Sequence, residues 1–207
     1  MFQIPHVLAD VALLAVPVLL AVTVHELAHG YVADRLGDPT ARAAGRLTWN
    51  PLAHLDPVGT LVFVVTRMIG WAKPVPVTPS YFRNPRRGMM WVGLAGPGAN
   101  LALAAVFAGI HRSLAGAGGG GWVLWGGAAA EVGVVVNVGL GVFNLIPVPP
   151  LDGSQVLAGL LPGGAELLLR RLERHGFLLL LVLVFSGALE RTVYPVVRAT
   201  TRFLLGA

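Results

Sequence analysis

Residues 7–35 read VLADVALLAVPVLLAVTVHELAHGYVADR, an apolar stretch that carries His25, Glu26 and His29 in its second half. The stretch is long enough to span a bilayer, which takes about 20 mainly apolar helical residues. On such a helix His25 and His29 lie one turn apart on the same face, so their imidazoles can hold one metal ion. Glu26 lies beside them, where it can take a proton from metal-bound water. The pattern H-E-x-x-H therefore predicts a zinc site with water-splitting chemistry at membrane depth.

Two simpler explanations of this motif are weaker. The six His and five Glu of the chain give an expected number of chance matches on the order of 0.004. Paired polar residues in a membrane helix could also hydrogen-bond to neighbouring helices. A carboxylate and two imidazoles at membrane depth are costly unless they serve a function, and we therefore favour a metal site.

The composition is that of an integral membrane protein. Hydrophobic residues make up 55% of the chain and charged residues 12%, against about 25% charged in soluble domains. The mean hydropathy is +0.72. We expect residues 1–207 to form one membrane-embedded domain, with a catalytic core at about 8–160 and C-terminal helices at about 166–207. The chain has no Cys, so any zinc must take nitrogen and oxygen ligands.

The predicted architecture is an all-α multi-pass membrane protein, a compact bundle of four to five transmembrane helices. Residues 187–207 are too polar for a clear span and suit an interfacial amphipathic helix. The predicted spans are residues 7–35, 89–110, 128–145 and 166–185.

The region between the first two spans is predicted to be a short membrane-associated strand or loop. Residues 58–69 are apolar but too short to span a bilayer, and the proline-rich residues 72–79 cannot be helical. We read this region as membrane-dipping or as an edge strand.

Basic residues predict the orientation in the cell membrane. Eight of the 15 Lys and Arg lie between Arg35 and Arg87, whereas only Arg112 lies between the second and third spans. Because cytoplasmic loops are enriched in basic residues, we expect the long loop inside, the N-terminus outside and the motif towards the cytoplasmic side. The C-terminal basic residues fit this orientation less well, so the side of the membrane on which the C-terminus lies is left undecided. Loop arginines of this kind explain the net charge of +5 without nucleic-acid binding.

Asp152 is the leading candidate for a third metal ligand. A catalytic zinc usually has three protein ligands and a water, so His25 and His29 leave one ligand to find. Asp152 follows a proline-broken segment, and Gly153 would let the chain bend away from the metal. The alternative is that Asp152 caps a short helix starting at Ser154. The upstream His pair makes ligation the stronger reading.

Three motifs, taken together and in order, resemble the site-2 protease family of intramembrane zinc metalloproteases. They are His25-Glu-Leu-Ala-His29, Ala95-Gly-Pro-Gly-Ala-Asn100 and Asn144-Leu-Ile-Pro-Val-Pro-Pro-Leu-Asp152-Gly153. The resemblance covers about residues 8–160. It implies one Zn²⁺ held by His25, His29 and Asp152, with Glu26 as the general base and later proton donor. It also implies that Asn100 is a catalytic residue near the site.

Several polar residues have two interpretations. Asn100 could hydrogen-bond the substrate backbone or polarise the scissile carbonyl, or simply form an interhelical hydrogen bond. Asn144 could shape the same pocket or cap a helix end. His54 and Asp56 are expected to make loop hydrogen bonds rather than a second metal pair. Glu131, inside an apolar run, has no assigned role.

The predicted function is hydrolysis of a peptide bond within or near a transmembrane segment of a membrane-protein substrate. The substrate helix must unwind first, because its carbonyls are hydrogen-bonded. An unpaired edge near Val75 or Val77 could then hold the unwound segment by strand addition. The alternatives are a chambered membrane metallopeptidase with a Glu as third ligand, a metal transporter, and a catalytically inactive membrane chaperone. Glu26 favours an enzyme, because neither transport nor a chaperone needs a general base.

The expected partners are the lipid bilayer and a transmembrane protein substrate. Family members often carry an inserted PDZ domain or a C-terminal nucleotide-sensing domain, and this chain has room for neither. We therefore expect regulation through a homo-oligomer, a regulatory membrane partner, the substrate's own processing or the membrane segments themselves.

Overall fold

The computed structural model describes residues 4–66, 70–117, 119–161 and 171–206, and within these ranges the regular structure is helical. The helices are α1 (Ile4–Arg35), α2 (Thr40–Ala43), α3 (Pro57–Thr66), α4 (Pro85–Gly116), α5 (Gly121–Asn144), α6 (Asp152–Leu160), α7 (Gly176–Phe185) and α8 (Ala188–Leu205). Two short 3-10 turns lie at Pro51–Ala53 and Pro79–Tyr81. The predicted all-α membrane bundle is confirmed.

Three helices of the described chain are long and apolar enough to cross a membrane, namely α1, α4 and α5. Helices α7 and α8 meet at a bend of 77°, and counting them as one broken span raises the number to four. Of the fourth span predicted at 166–185, residues 166–170 lie outside the described residues.

Small residues let α4 and α5 pack closely. A Cβ atom on Gly133 of α5 would lie 2.5 Å from the Phe107 ring, and one on Gly141 would lie 3.2 Å from the Pro97 carbonyl oxygen. Close approach of this kind is how membrane helices gain van der Waals contact. The buried cluster between them consists of Ala104, Ala108, Val134 and Val138.

Helix α8 packs against this cluster through Val197, Leu204 and Leu205. We expected an amphipathic helix lying at the membrane interface, but part of its apolar stripe contacts protein instead. Gly187, with φ of 71°, makes the turn that brings α8 back onto the bundle. Arg112 at the end of α4 donates a hydrogen bond to the Leu204 carbonyl, which anchors the far end of α8.

The region between α1 and α4 differs from the strand predicted there. Most of the apolar segment 58–69 forms the helix α3, and residues 67–69 lie outside the described residues. The proline-rich segment is extended, but its only β-bridge in the described chain joins Ala72 to Leu55. Prolines remove the N–H groups that a strand ladder needs, which explains why no strand forms.

The proline-broken segment after α5 folds α6 back towards α4. A Cβ atom on Gly153 would lie 2.2 Å from the Leu145 carbonyl oxygen, so the start of α6 sits tightly beneath the end of α5. A Cβ atom on Gly93 of α4 would in turn lie 3.0 Å from the Asp152 carbonyl oxygen. Glycines at both contacts therefore set the position of Asp152.

Candidate metal centre

Three side chains from two helices converge beside α4. His25 and His29 come from adjacent turns of α1, and Asp152 is the first residue of α6. Helix α4 approaches through Gly96, where a Cβ atom would lie 2.5 Å from His29 Nε2. The structure thus brings together the three residues that the sequence suggested as ligands, and their ligand atoms lie within 4.8 Å of one another.

The spacing of the three ligand atoms matches a tetrahedral metal site. Asp152 Oδ2 lies 3.1 Å from His25 Nε2 and 3.3 Å from His29 Nε2. The two Nε2 atoms are 3.0 Å apart. Ligands at about 2.05 Å from a tetrahedral zinc are separated by roughly 3.3 Å.

Hydrogen bonds on the far side of each ring define its tautomer. His25 Nδ1 lies 2.6 Å from Asn100 Oδ1, and His29 Nδ1 lies 2.7 Å from the Val92 carbonyl oxygen. Both partners are acceptors, so each Nδ1 carries a proton, and Nε2 is the ring nitrogen left to bind a metal when the imidazole is neutral. Asp152 Oδ2 is buried and has no hydrogen-bond partner in the described chain. Two imidazole nitrogens and one carboxylate oxygen therefore converge, an arrangement that a cation would stabilise.

Glu26 is buried beside this cluster, and one carboxylate oxygen is fixed. The Val75 N–H donates a hydrogen bond of 2.9 Å to Glu26 Oε2. Val75 belongs to the extended segment 72–78, which we name the tether segment. Sequence reasoning missed this contact, because a backbone donor leaves no signature in the identity of its residue.

The tether segment is held at both ends. The Lys73 N–H donates to the His54 carbonyl, and Arg46 Nη2 donates to the Lys73 carbonyl at 2.6 Å. At the other end the Thr78 N–H donates to Asp38. Burial acts to raise the pKa of Asp38, but the hydrogen bonds from Thr40 and Thr78 outweigh it and leave the pKa below its ordinary value. Asp38 is therefore ionised at neutral pH and strongly bonded to the segment.

The strand edge predicted near Val75 or Val77 is not free at Val75. The N–H groups of Lys73, Val75 and Thr78 already have partners within the protein. Pro74 and Pro76 have no N–H to offer. Of the residues predicted to guide substrate, Val75 instead positions Glu26.

Asn100 uses its whole amide within the protein. Its Oδ1 accepts from His25, while its Nδ2 donates to the Ala21 carbonyl at 3.0 Å and to Asn137 Oδ1 at 2.9 Å. The interhelical hydrogen bond that the sequence suggested is confirmed. The amide has no free hydrogen with which to bind a substrate carbonyl, so this geometry supports orientation of His25 rather than direct catalysis.

The cap interpretation of Asp152 is wrong. Helix α6 begins at Asp152 itself, its N-cap residue is Leu151, and no side chain caps it. The carboxylate faces the two imidazoles instead. Cap preference in the sequence could not reveal this, because the competing imidazoles come from a helix more than 120 residues earlier.

The remaining polar candidates lie outside this cluster. Asn144 donates to the Leu140 carbonyl of its own helix. His54 is fully buried and its Nε2 bonds to the Thr48 carbonyl, while Asp56 accepts from the Gly59 N–H at the start of α3. The prediction of loop hydrogen bonds for His54 and Asp56 is confirmed. Glu131 is exposed on α5.

Comparisons with known proteins agree with this chemistry. The chain is 38% identical over 194 residues to "Putative zinc metalloprotease YwhC" of Bacillus subtilis (strain 168), covering 90% of this chain and 86% of that protein. It is 31% identical over 188 residues to "Putative zinc metalloprotease Rip2" of Mycolicibacterium smegmatis, covering 86% and 69%. The Rip2 protein of Mycobacterium tuberculosis (strain H37Rv) is 30% identical over 191 residues.

No protein-family model and no solved structure matches the chain. The curated relatives, which the chain matches over more than two thirds of their lengths, carry the assignment. Their names give the metal as Zn²⁺, and the nitrogen and oxygen donors of the cluster suit that ion. The chain therefore belongs to the site-2 protease family of zinc metalloproteases.

Proposed function

We propose that this protein is an intramembrane metalloprotease that cuts a peptide bond within or near a transmembrane segment of a membrane-protein substrate. The observation that carries the proposal is the convergence of three candidate ligand atoms beside buried Glu26 on a helix able to cross a membrane. His25, His29 and Asp152 hold the metal. A bound zinc ion supplies Lewis-acid chemistry, polarising a carbonyl and making water a stronger acid.

Glu26 acts as the general base. Its carboxylate accepts a proton from the attacking water and returns that proton to the leaving amine nitrogen. The Val75 N–H holds Oε2, while Oε1 accepts no hydrogen bond in the described chain and is free to take the proton. Glu26 is not one of the three converging ligand residues, which supports a base rather than a fourth ligand.

The substrate is a membrane helix that unwinds near the site. Every carbonyl inside an intact helix is bonded to an N–H four residues later, so the scissile carbonyl must first lose that partner. The burial of His25, Glu26 and His29 keeps bulk solvent away from the cluster. We infer that access to the cluster is the selective step. The concentration of basic residues between α1 and α4 supports a cytoplasmic loop there, and with it a site towards the inner side of the cell membrane.

The decisive test compares the wild type with Glu26→Gln in detergent. We expect both proteins to bind one zinc per chain and the variant to cleave a single-span substrate about 10² to 10⁴ times more slowly. Glu131→Gln is the matched control, since it makes the same chemical change on an exposed residue of α5, and its cleavage should equal that of the wild type.

Two results would contradict the proposal. Equal cleavage by the wild type and Glu26→Gln would remove Glu26 from the mechanism. Zinc binding by the wild type without cleavage of any single-span substrate would favour the transporter or chaperone alternatives.

A further inference from the structure

Asn137 is a fully buried amide in the middle of α5, surrounded along its own helix by apolar residues. Burying an amide at membrane depth is costly unless its hydrogen bonds are made. Asn137 Nδ2 donates to the Gly133 carbonyl at 2.9 Å, and Oδ1 accepts from Asn100 Nδ2 at 2.9 Å. Asn100 in turn contacts His25. A continuous line of hydrogen bonds therefore joins α5 to the metal centre through α4.

Two backbone carbonyls fix the direction of this line. The Gly133 oxygen can only accept, so the NH₂ group of Asn137 must face it and Oδ1 must face Asn100. The Ala21 oxygen can also only accept, so the NH₂ group of Asn100 faces it and Asn137 together. Asn100 Oδ1 is then left to face His25 Nδ1. Neither amide can be flipped without setting two acceptors against each other.

We propose that Asn137 is a positioning residue of the metal site that acts through Asn100. It locks the Asn100 amide, which keeps the proton of His25 on Nδ1 and presents the Nε2 lone pair to the metal. The inference rests on the proposed ligand set of His25, His29 and Asp152. Groups that orient a metal-bound imidazole from behind typically change metal affinity by about 10 to 100-fold when removed.

The test is zinc affinity, measured by competition with a chelator on the full chain in detergent. Asn137→Leu keeps the branched shape of the side chain and removes both hydrogen bonds, so we expect zinc to bind about 10 to 100-fold more weakly. Asn137→Ala removes the same hydrogen bonds but leaves a cavity instead of adding an apolar side chain. We expect its zinc affinity to fall by a similar factor. Cobalt substitution should also show an altered visible spectrum in these variants, because the geometry at His25 changes.

Val134→Ala is the matched control. Val134 is equally buried one turn earlier on α5 but contributes only packing, so its loss should lower stability and leave zinc affinity within about twofold of the wild type. A double-mutant cycle tests the route: in the Asn100→Leu background, adding Asn137→Leu should cause no further loss of zinc affinity.

Wild-type affinity in Asn137→Leu would overturn the inference, as would an equal extra loss in the Asn100→Leu background. His25→Ala separates this failure from that of the ligand set. If His25→Ala binds zinc as tightly as the wild type, the ligand assignment and the inference both fail. If His25→Ala loses zinc and the Asn137 variants do not, only the inference fails.

Discussion

Gly96 is the residue that allows the two imidazoles to meet under α4. A Cβ atom there would lie 2.5 Å from His29 Nε2 and 2.6 Å from His25 Cε1, closer than van der Waals contact permits. Each imidazole ring is held by a hydrogen bond at its Nδ1, so neither ring can easily move away. A single methyl group at Gly96 therefore competes with the metal site for space.

We predict that Gly96→Ala weakens zinc binding by at least about tenfold. Gly98→Ala is the control on the same helix, since a Cβ atom at Gly98 meets nothing within 4 Å. Both changes raise helix propensity by the same amount, so they differ only in the contact with the rings. Metal content after dialysis against a weak chelator checks the prediction, and equal metal loss in the two variants would contradict it.

Chemical type made the ligand residues predictable, but not the groups behind them. His25, His29 and Asp152 could be found because few side chains can bind zinc and their spacing fits a helix. The Val92 carbonyl behind His29 and the Val75 N–H on Glu26 could not be found, because every residue offers the same backbone groups. Asn137 is an intermediate case, because a polar residue within an apolar run is visible in the sequence but its partner depends on helix packing.

The tether segment shows why the element between α1 and α4 was harder to predict than the spans. Its prolines correctly exclude a helix. Extended backbone, however, can either pair with another strand or hold neighbouring groups of the protein in place. The N–H groups of Lys73, Val75 and Thr78 donate to groups outside the segment, which indicates the second role. These partners lie up to 49 residues away in the chain, beyond the reach of local sequence patterns.

We predict that Val75→Pro slows substrate cleavage by roughly 10 to 100-fold while zinc affinity stays unchanged, because the general base loses the donor that positions it. Val77→Pro is the matched control, since the Val77 N–H makes no hydrogen bond in the described chain. Steady-state cleavage rates and zinc titration of both variants give the comparison. Strong loss of activity in Val77→Pro as well would point back to strand addition of the substrate along the whole segment.

For the whole molecule, hydropathy predicted α1, α4 and α5, because apolar helices of this length are stable in a lipid bilayer and not in water. The same reasoning was weaker for α8. An amphipathic pattern shows that a helix has an apolar stripe, but lipid and neighbouring helices satisfy such a stripe equally well. Only the packing of Val197 and Leu204 on the α4–α5 cluster shows that protein covers part of it.

The orientation of the bundle is open to direct measurement, because the chain contains no Cys and each introduced thiol is unique. Basic residues are concentrated between α1 and α4, so we predict that α2 faces the cytoplasm and the α4–α5 turn faces outside. A thiol introduced by Gly120→Cys, where a Cβ atom meets nothing within 4 Å, should react with a membrane-impermeant maleimide in intact cells. A thiol introduced by Ala43→Cys, exposed at the end of α2, should react only after the membrane is opened. The unmodified chain gives the background, and the reverse labelling pattern would place the metal centre towards the outer side.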